Sequence, residues 1–327
     1  MNLQSATPRS PAALFAISSL IWGSTWFAIK FQLGSVSADI SVAYRFALAA
    51  LLLSGWCALT RRSLRFDARA HAFLALQGSL LFGFNYVAVY WAERYATSGL
   101  VAVLFSTIVF MNPIGARWLF GTPLASRTLF AALLGLVGVT LLFVPELTQA
   151  RHGGNAALGI VLGLGATVIA TGGNLAAMHN QREGIPLLAG TAWGMAYGAL
   201  AAALVSIAHG STWSFDTRAG YLLSLVYLAV FGSVVAFVAY LTLLRRVGPG
   251  GASYVGVTTP VIAMMFSTAF EAYRWTPLAI LGVALAVAGN WLALKPRAAQ
   301  PQASYETAKP VSKSGERPDS AKSRSEA

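Results

Sequence analysis

AALFAISSLIWGSTWFAIKF, residues 12–31, holds twenty residues with a single charge, Lys30, at its far end. At 1.5 Å per residue such a stretch spans about 30 Å as a helix, the thickness of a bilayer's hydrocarbon core. Its basic flank is thin (Arg9), its apolar run is long, and no small-residue cleavage site precedes Lys30. It therefore reads as a retained helix and not as a cleaved leader. Nine more apolar stretches follow, at about 38–59, 70–91, 96–119, 126–144, 157–178, 186–208, 219–244, 250–271 and 277–294. The expected fold is an all-α membrane protein with ten transmembrane helices.

Composition agrees. Of 327 residues, 56% are hydrophobic and 10% charged, against about 25% charged in a soluble domain. So little charge cannot cover a water-facing surface. The net charge of +12 comes from basic residues that punctuate apolar runs, which speaks against a nucleic-acid-binding stripe. Arg61, Arg62, Arg65, Arg69, Arg117, Arg127, Arg182, Arg245 and Arg246 fall on one side of the alternating spans. Lys30, Arg94, Arg151, Arg218 and Arg274 fall on the other. The positive-inside bias then places both termini in the cytoplasm of a bacterial-type inner membrane. Cys57, the one cysteine, excludes an internal disulfide and a cysteine metal cage.

The two halves resemble each other at a shift of about 150 residues. Trp22-Gly23-Ser24-Thr25 corresponds to Thr171-Gly172-Gly173-Asn174, Ala131 and Gly138 to Gly282 and Gly289, and Val109 to Pro260. Five spans per half is an odd number, so the second half must enter with opposite polarity. The expectation is two inverted five-helix repeats, a plan used by secondary transporters with a midplane substrate site. The boundaries expected are 1–11 for a short cytoplasmic segment, 12–146 and 147–297 for the repeats, and 298–327 for a disordered polar tail.

Trp22-Gly23-Ser24-Thr25 with Lys30, Arg45-Phe46, the segment from Ala252 to Glu271 with Pro260, and the Gly282/Gly289 pair together resemble the EamA family of the drug/metabolite transporter superfamily. Val109 stands where that family often has proline, and Thr122 where glutamate is common. The resemblance implies a secondary carrier exporting small metabolites. The abundance of aromatics resembles the branch that exports aromatic amino acids.

A charged residue inside a span costs about 2.5–3.5 kcal/mol on insertion scales, which makes each a functional candidate. Arg45 lies ~10 Å along the second span and can hold a substrate carboxylate with its guanidinium fork; a snorkelling, structural role is the competing reading. Thr167, Thr171 and Asn174 share one face of the sixth span. Asn85, Tyr86, Trp193, Tyr197, Tyr254, Thr258 and Trp22 complete a candidate site of aromatic walls with polar handles, against interfacial belts and packing as the plainer alternative. Pro113 and Pro260 break backbone hydrogen bonds and are candidate hinges; Glu271 is a candidate gate salt bridge. No Asp or Glu is expected well inside a span, which argues for facilitated transport without a buried-carboxylate proton relay. His179 is the alternative titrating group.

No Gly-x-x-x-x-Gly-Lys-Ser/Thr loop and no His-Glu-x-x-His pattern occurs, so no cofactor, nucleotide or metal is expected, and no enzyme activity. The expected partners are a small-molecule substrate and the lipid bilayer, with the chain acting as a monomer. The competing expectations are a proton-coupled exporter of drugs or cationic metabolites and, from another class, a membrane enzyme or lipid-handling protein.

Overall fold

The computed structural model describes residues 10–121, 126–150, 155–240, 242–243, 246 and 254–294. The tail expected from residue 298 lies outside the described residues.

The described residues are helical, without strands, and fall into ten successive helices. These are α1 (Pro11–Lys30), α2 (Ala38–Leu59), α3 (Ala68–Ala92), α4 (Ser98–Phe120), α5 (Ser126–Ala150), α6 (Ala156–Arg182), α7 (Leu187–Ala208), α8 (Ala219–Tyr240), α9 (Tyr254–Phe270) and α10 (Pro277–Leu294). Seven, α1–α4 and α6–α8, are each long and apolar enough to cross a membrane. Local chemistry fixes several starts. Pro11 opens α1, where the missing N–H costs nothing. Asp67 caps α3 by accepting the Ala70 N–H at 2.7 Å.

Side-chain contacts set the helix directions. Lys30, ending α1, donates to the Ala96 carbonyl just before α4 and pairs with Glu271 just past α9. At the same end Asp39 of α2 faces His209, which follows α7, and Ser41 meets Tyr221 of α8. The opposite end joins Trp193 of α7 to the Leu64 carbonyl, and Asn180 of α6 to the Phe73 carbonyl of α3. So α1 and α3 run toward the Lys30 end while α6 and α8 run away from it; α2 and α4 run away while α7 and α9 run toward it. Each of these helices is antiparallel to its counterpart 150 residues on, the sense that an inverted repeat requires.

Packing shows the same pairing. A Cβ on Gly138 would sit 2.6 Å from the Gly282 carbonyl oxygen, and one on Gly289 2.7 Å from that of Ala131. The small residues matched between halves in sequence thus face each other across the α5–α10 contact, letting the backbones approach. Both α3 and α8 contain a π-helical stretch, Ser79–Phe84 and Leu228–Val235, again about 150 residues apart. π-bulges shift backbone groups out of α-helical register and concentrate at functional sites.

Candidate functional site

A cavity of about 460 Å³ lies among α1, α3 and α4 and their counterparts α6, α8 and α9. From α1 come Trp22, Thr25, Trp26 and Ile29; from α3, Leu81, Phe82, Asn85, Tyr86 and Val89; from α4, Phe105, Ser106, Val109, Asn112 and Pro113. Asn174 of α6, Phe237 and Tyr240 of α8, and Thr259 and Pro260 of α9 complete it. Every described lining side chain is uncharged.

The walls are aromatic and mutually braced. Trp22 lies 5.3 Å from Phe237 and 5.2 Å from Tyr240, and Trp26 packs on Phe105 at 5.4 Å. The Trp22 indole N–H donates to the Gly232 carbonyl at 3.1 Å, a group inside the π-helical stretch of α8. Polar handles are few. Asn174 Nδ2 donates to Asn112 Oδ1 at 3.3 Å, tying α6 to α4. Asn85 Nδ2 donates to the Leu81 carbonyl at 3.0 Å, while its Oδ1 is buried with no partner among the described residues. That leaves one buried, unpartnered acceptor on a residue of the cavity wall.

Of the residues expected from sequence, Trp22, Asn85, Tyr86, Asn174, Pro113 and Pro260 converge on this cavity. Arg45 lies behind it, 1% exposed. Its guanidinium stands 4.6 Å from the Tyr86 ring centre and 5.1 Å from that of Phe46, and its Nε donates to Ser233 Oγ at 3.3 Å. Tyr86 lines the cavity, and Arg45 does not. Thr171 donates back to the Thr167 carbonyl within α6. Thr258 is on α9, one position before the lining Thr259, about 100° round the helix. Trp193 and Tyr197 stack on each other at the far end of the bundle, where Tyr197 meets His71 Nδ1 at 3.0 Å. His179 packs on Phe73 there. Tyr254 begins α9, and its side chain lies outside the described residues. Sequence reasoning missed Asn112, Trp26, Phe237 and Tyr240. The last two stand three apart, a helical spacing that could have flagged them.

Glu271 lies past the end of α9, 11% exposed at its side chain, beside Lys30 at 3.5 Å. Its carboxylate accepts the Ser98 N–H at 3.1 Å and the Ser98 hydroxyl at 2.5 Å. It thus caps the start of α4 from another helix, where the positive end of the helix dipole favours an anion. Glu93, in the turn that follows α3, lies outside the helical span yet is buried at 1% exposure. The reason is tertiary: the turn after α3 folds under Lys30 instead of out toward solvent, with Lys30 Nζ donating to the Glu93 carbonyl.

Residues 9–144 match the EamA-like transporter family, and residues 157–295 match it a second time. The chain belongs to the EamA-like transporter family. Among curated relatives of this EamA protein, the uncharacterized inner membrane transporter YedA of Escherichia coli K12 is 28% identical over 290 residues, covering 86% of this chain and 91% of its own. Protein PagO of Salmonella typhimurium is 25% identical over 305 residues, covering 88% and 94%. A protein of known crystal structure superposes on the EamA chain with a TM-score of 0.62 at 19% identity, covering 89% of this chain and 96% of its own, a likeness of fold.

Proposed function

We propose that this EamA protein is a multi-pass inner-membrane carrier with both termini cytoplasmic. It exports small amphipathic metabolites by alternating access between two inverted repeats of five transmembrane helices, residues 12–146 and 147–297. The favoured cargo is amino acids, including aromatic and large apolar ones, as in the aromatic-amino-acid exporter branch. The observation that carries this reading is the aromatic cavity between counterpart helices, with Asn85, Asn112 and Asn174 as its polar handles. Its volume of about 460 Å³ falls among small-molecule sites. Aromatic faces take the apolar side chain, and the free Asn85 Oδ1 takes an ammonium N–H. An uncharged lining suits a zwitterion, whose charges cancel, better than an anion. Pro113 and Pro260 lie in that lining on paired helices, placed to bend as the halves rock.

Uptake of labelled phenylalanine, leucine and threonine into liposomes holding the purified protein tests this. Saturable flux of phenylalanine and leucine is expected; no flux of any amino acid overturns the cargo assignment. The same aromatic faces support a second reading, export of cationic drugs through cation–π contacts. Flux of a quaternary ammonium compound that phenylalanine does not inhibit would favour it.

A further inference from the structure

Glu93 is 1% exposed, and neither carboxyl oxygen accepts a hydrogen bond from a described residue. The titratable groups close enough to act on it electrostatically are Lys30 from α1, Arg45 from α2, Tyr90 near the end of α3 and Glu271 from beyond α9. Two buried donors nearby also lack described partners, Arg45 Nη1 and Gln32 Nε2, while Tyr90 donates to Gln32 Oε1 at 3.2 Å. Neither cation hydrogen-bonds the Glu93 carboxyl oxygens. Arg45 stacks on Tyr86 and binds Ser233. Lys30 spends its donors on the Glu93 and Ala96 carbonyls and on Glu271.

A buried carboxyl that accepts no hydrogen bond is favoured in its neutral form. Next to it, the Lys30–Glu271 pair and the Glu271–Ser98 cap clip the end of α9 to α1 and α4, that is, one half to the other. We propose that Glu93 is a proton-binding site that gates the Lys30 end of the carrier. With that end closed, Glu93 holds a proton and Glu271 pairs with Lys30. Opening pulls Glu271 away with α9 and leaves the Lys30 ammonium without its counter-ion. Glu93 then releases its proton to the solvent that enters, and the resulting carboxylate replaces Glu271 beside Lys30. The segment is placed for this exchange, because Lys30 already holds the Glu93 backbone carbonyl. A metal cation fits poorly beside Lys30 and Arg45, whose charges would repel it.

The proposal rests on the carrier reading, but its test needs no transported substrate. On a Cys57→Ser background, cysteine is placed at the part-buried Thr97, with an exposed reference cysteine at Tyr95. A membrane-impermeant maleimide then reports opening across a titration from about pH 5 to about pH 9. Labelling at position 97 relative to position 95 should rise severalfold toward alkaline pH and become flat in Glu93→Gln. Infrared difference spectra of the full chain in nanodiscs should show a protonated-carboxyl band over the same range, lost in Glu93→Gln and, in Glu271→Gln, still present but with its midpoint moved to lower pH. Glu93→Asp guards against misfolding: it should keep the band with a shifted midpoint. A pH response that survives Glu93→Gln, a flat wild type, or a response to sodium ions instead of pH would each overturn the proposal. Failure of phenylalanine uptake with the pH response intact would strike only the cargo assignment.

Discussion

The guanidinium of Arg45 stacks 4.6 Å from the ring centre of Tyr86, which lines the cavity while Arg45 does not. A residue expected from sequence to grip substrate is thus one layer back, in position to hold a wall of the cavity. Buried cation–π contacts are worth about 2 kcal/mol.

Arg45→Ala should therefore raise KM for phenylalanine about tenfold, with the protein still inserted. Comparing phenylalanine with phenethylamine, which lacks the carboxylate, separates the two roles. Equal losses mark a wall support; a loss confined to phenylalanine marks a carboxylate grip.

Asn174 and Asn112 share one hydrogen bond at 3.3 Å between α6 and α4. Truncating either leaves the other unpaired, at a cost of about 1–3 kcal/mol. Both Asn→Ala variants should weaken substrate binding, and the double variant should be little worse than either alone. Additive effects in a double-mutant cycle of KM would show that the two amides act separately.

The Glu271 carboxylate caps α4 from outside that helix. Loss of a capping group costs about 1 kcal/mol, and the Lys30 pair is lost with it. Glu271→Ala should lower the melting temperature in detergent by a few degrees and by more than Ser98→Ala, whose backbone N–H remains. An unchanged melting temperature would remove the cap from the structural account.

Gly289 faces the Ala131 carbonyl at a distance that admits no side chain, 2.7 Å from where a Cβ would lie. Backbone cannot give way as a flexible side chain can. Gly289→Val should therefore strongly destabilise the fold, while Gly55→Ala, with open space around it, should not. Size-exclusion profiles of the two variants after extraction make the comparison.

Helix positions were legible because burial in lipid imposes a length and an apolar composition on each span, and residues 12–31 obey both. Inverted polarity was legible too: five apolar stretches per half led to that expectation, and α1–α4 run antiparallel to α6–α9. The weak pairs, Ala131 and Gly138 with Gly282 and Gly289, carried structural meaning because only small residues fit where two backbones touch.

Site membership was legible only in part. Trp22, Asn85, Tyr86 and Asn174 reach the cavity, whereas Trp193 and Tyr197 meet His71 at the other end. Helical periodicity says which residues share a face, not which neighbour that face meets. Thr171 shares a face with Asn174, yet it is satisfied within its own helix.

What the sequence by itself determined is the helical, membrane-spanning, twofold-repeated architecture, because hydropathy and small-residue spacing are local constraints written along the chain. What only the tertiary structure decided is which polar groups are buried together. Glu93, in the turn after α3, is buried beside Lys30, and Arg45, which the sequence offers as either a carboxylate grip or a structural cation, is buried against Tyr86. Both depend on contacts between helices far apart in sequence, and the cost of burying a charge is set by those neighbours, not by the residues beside it in the chain.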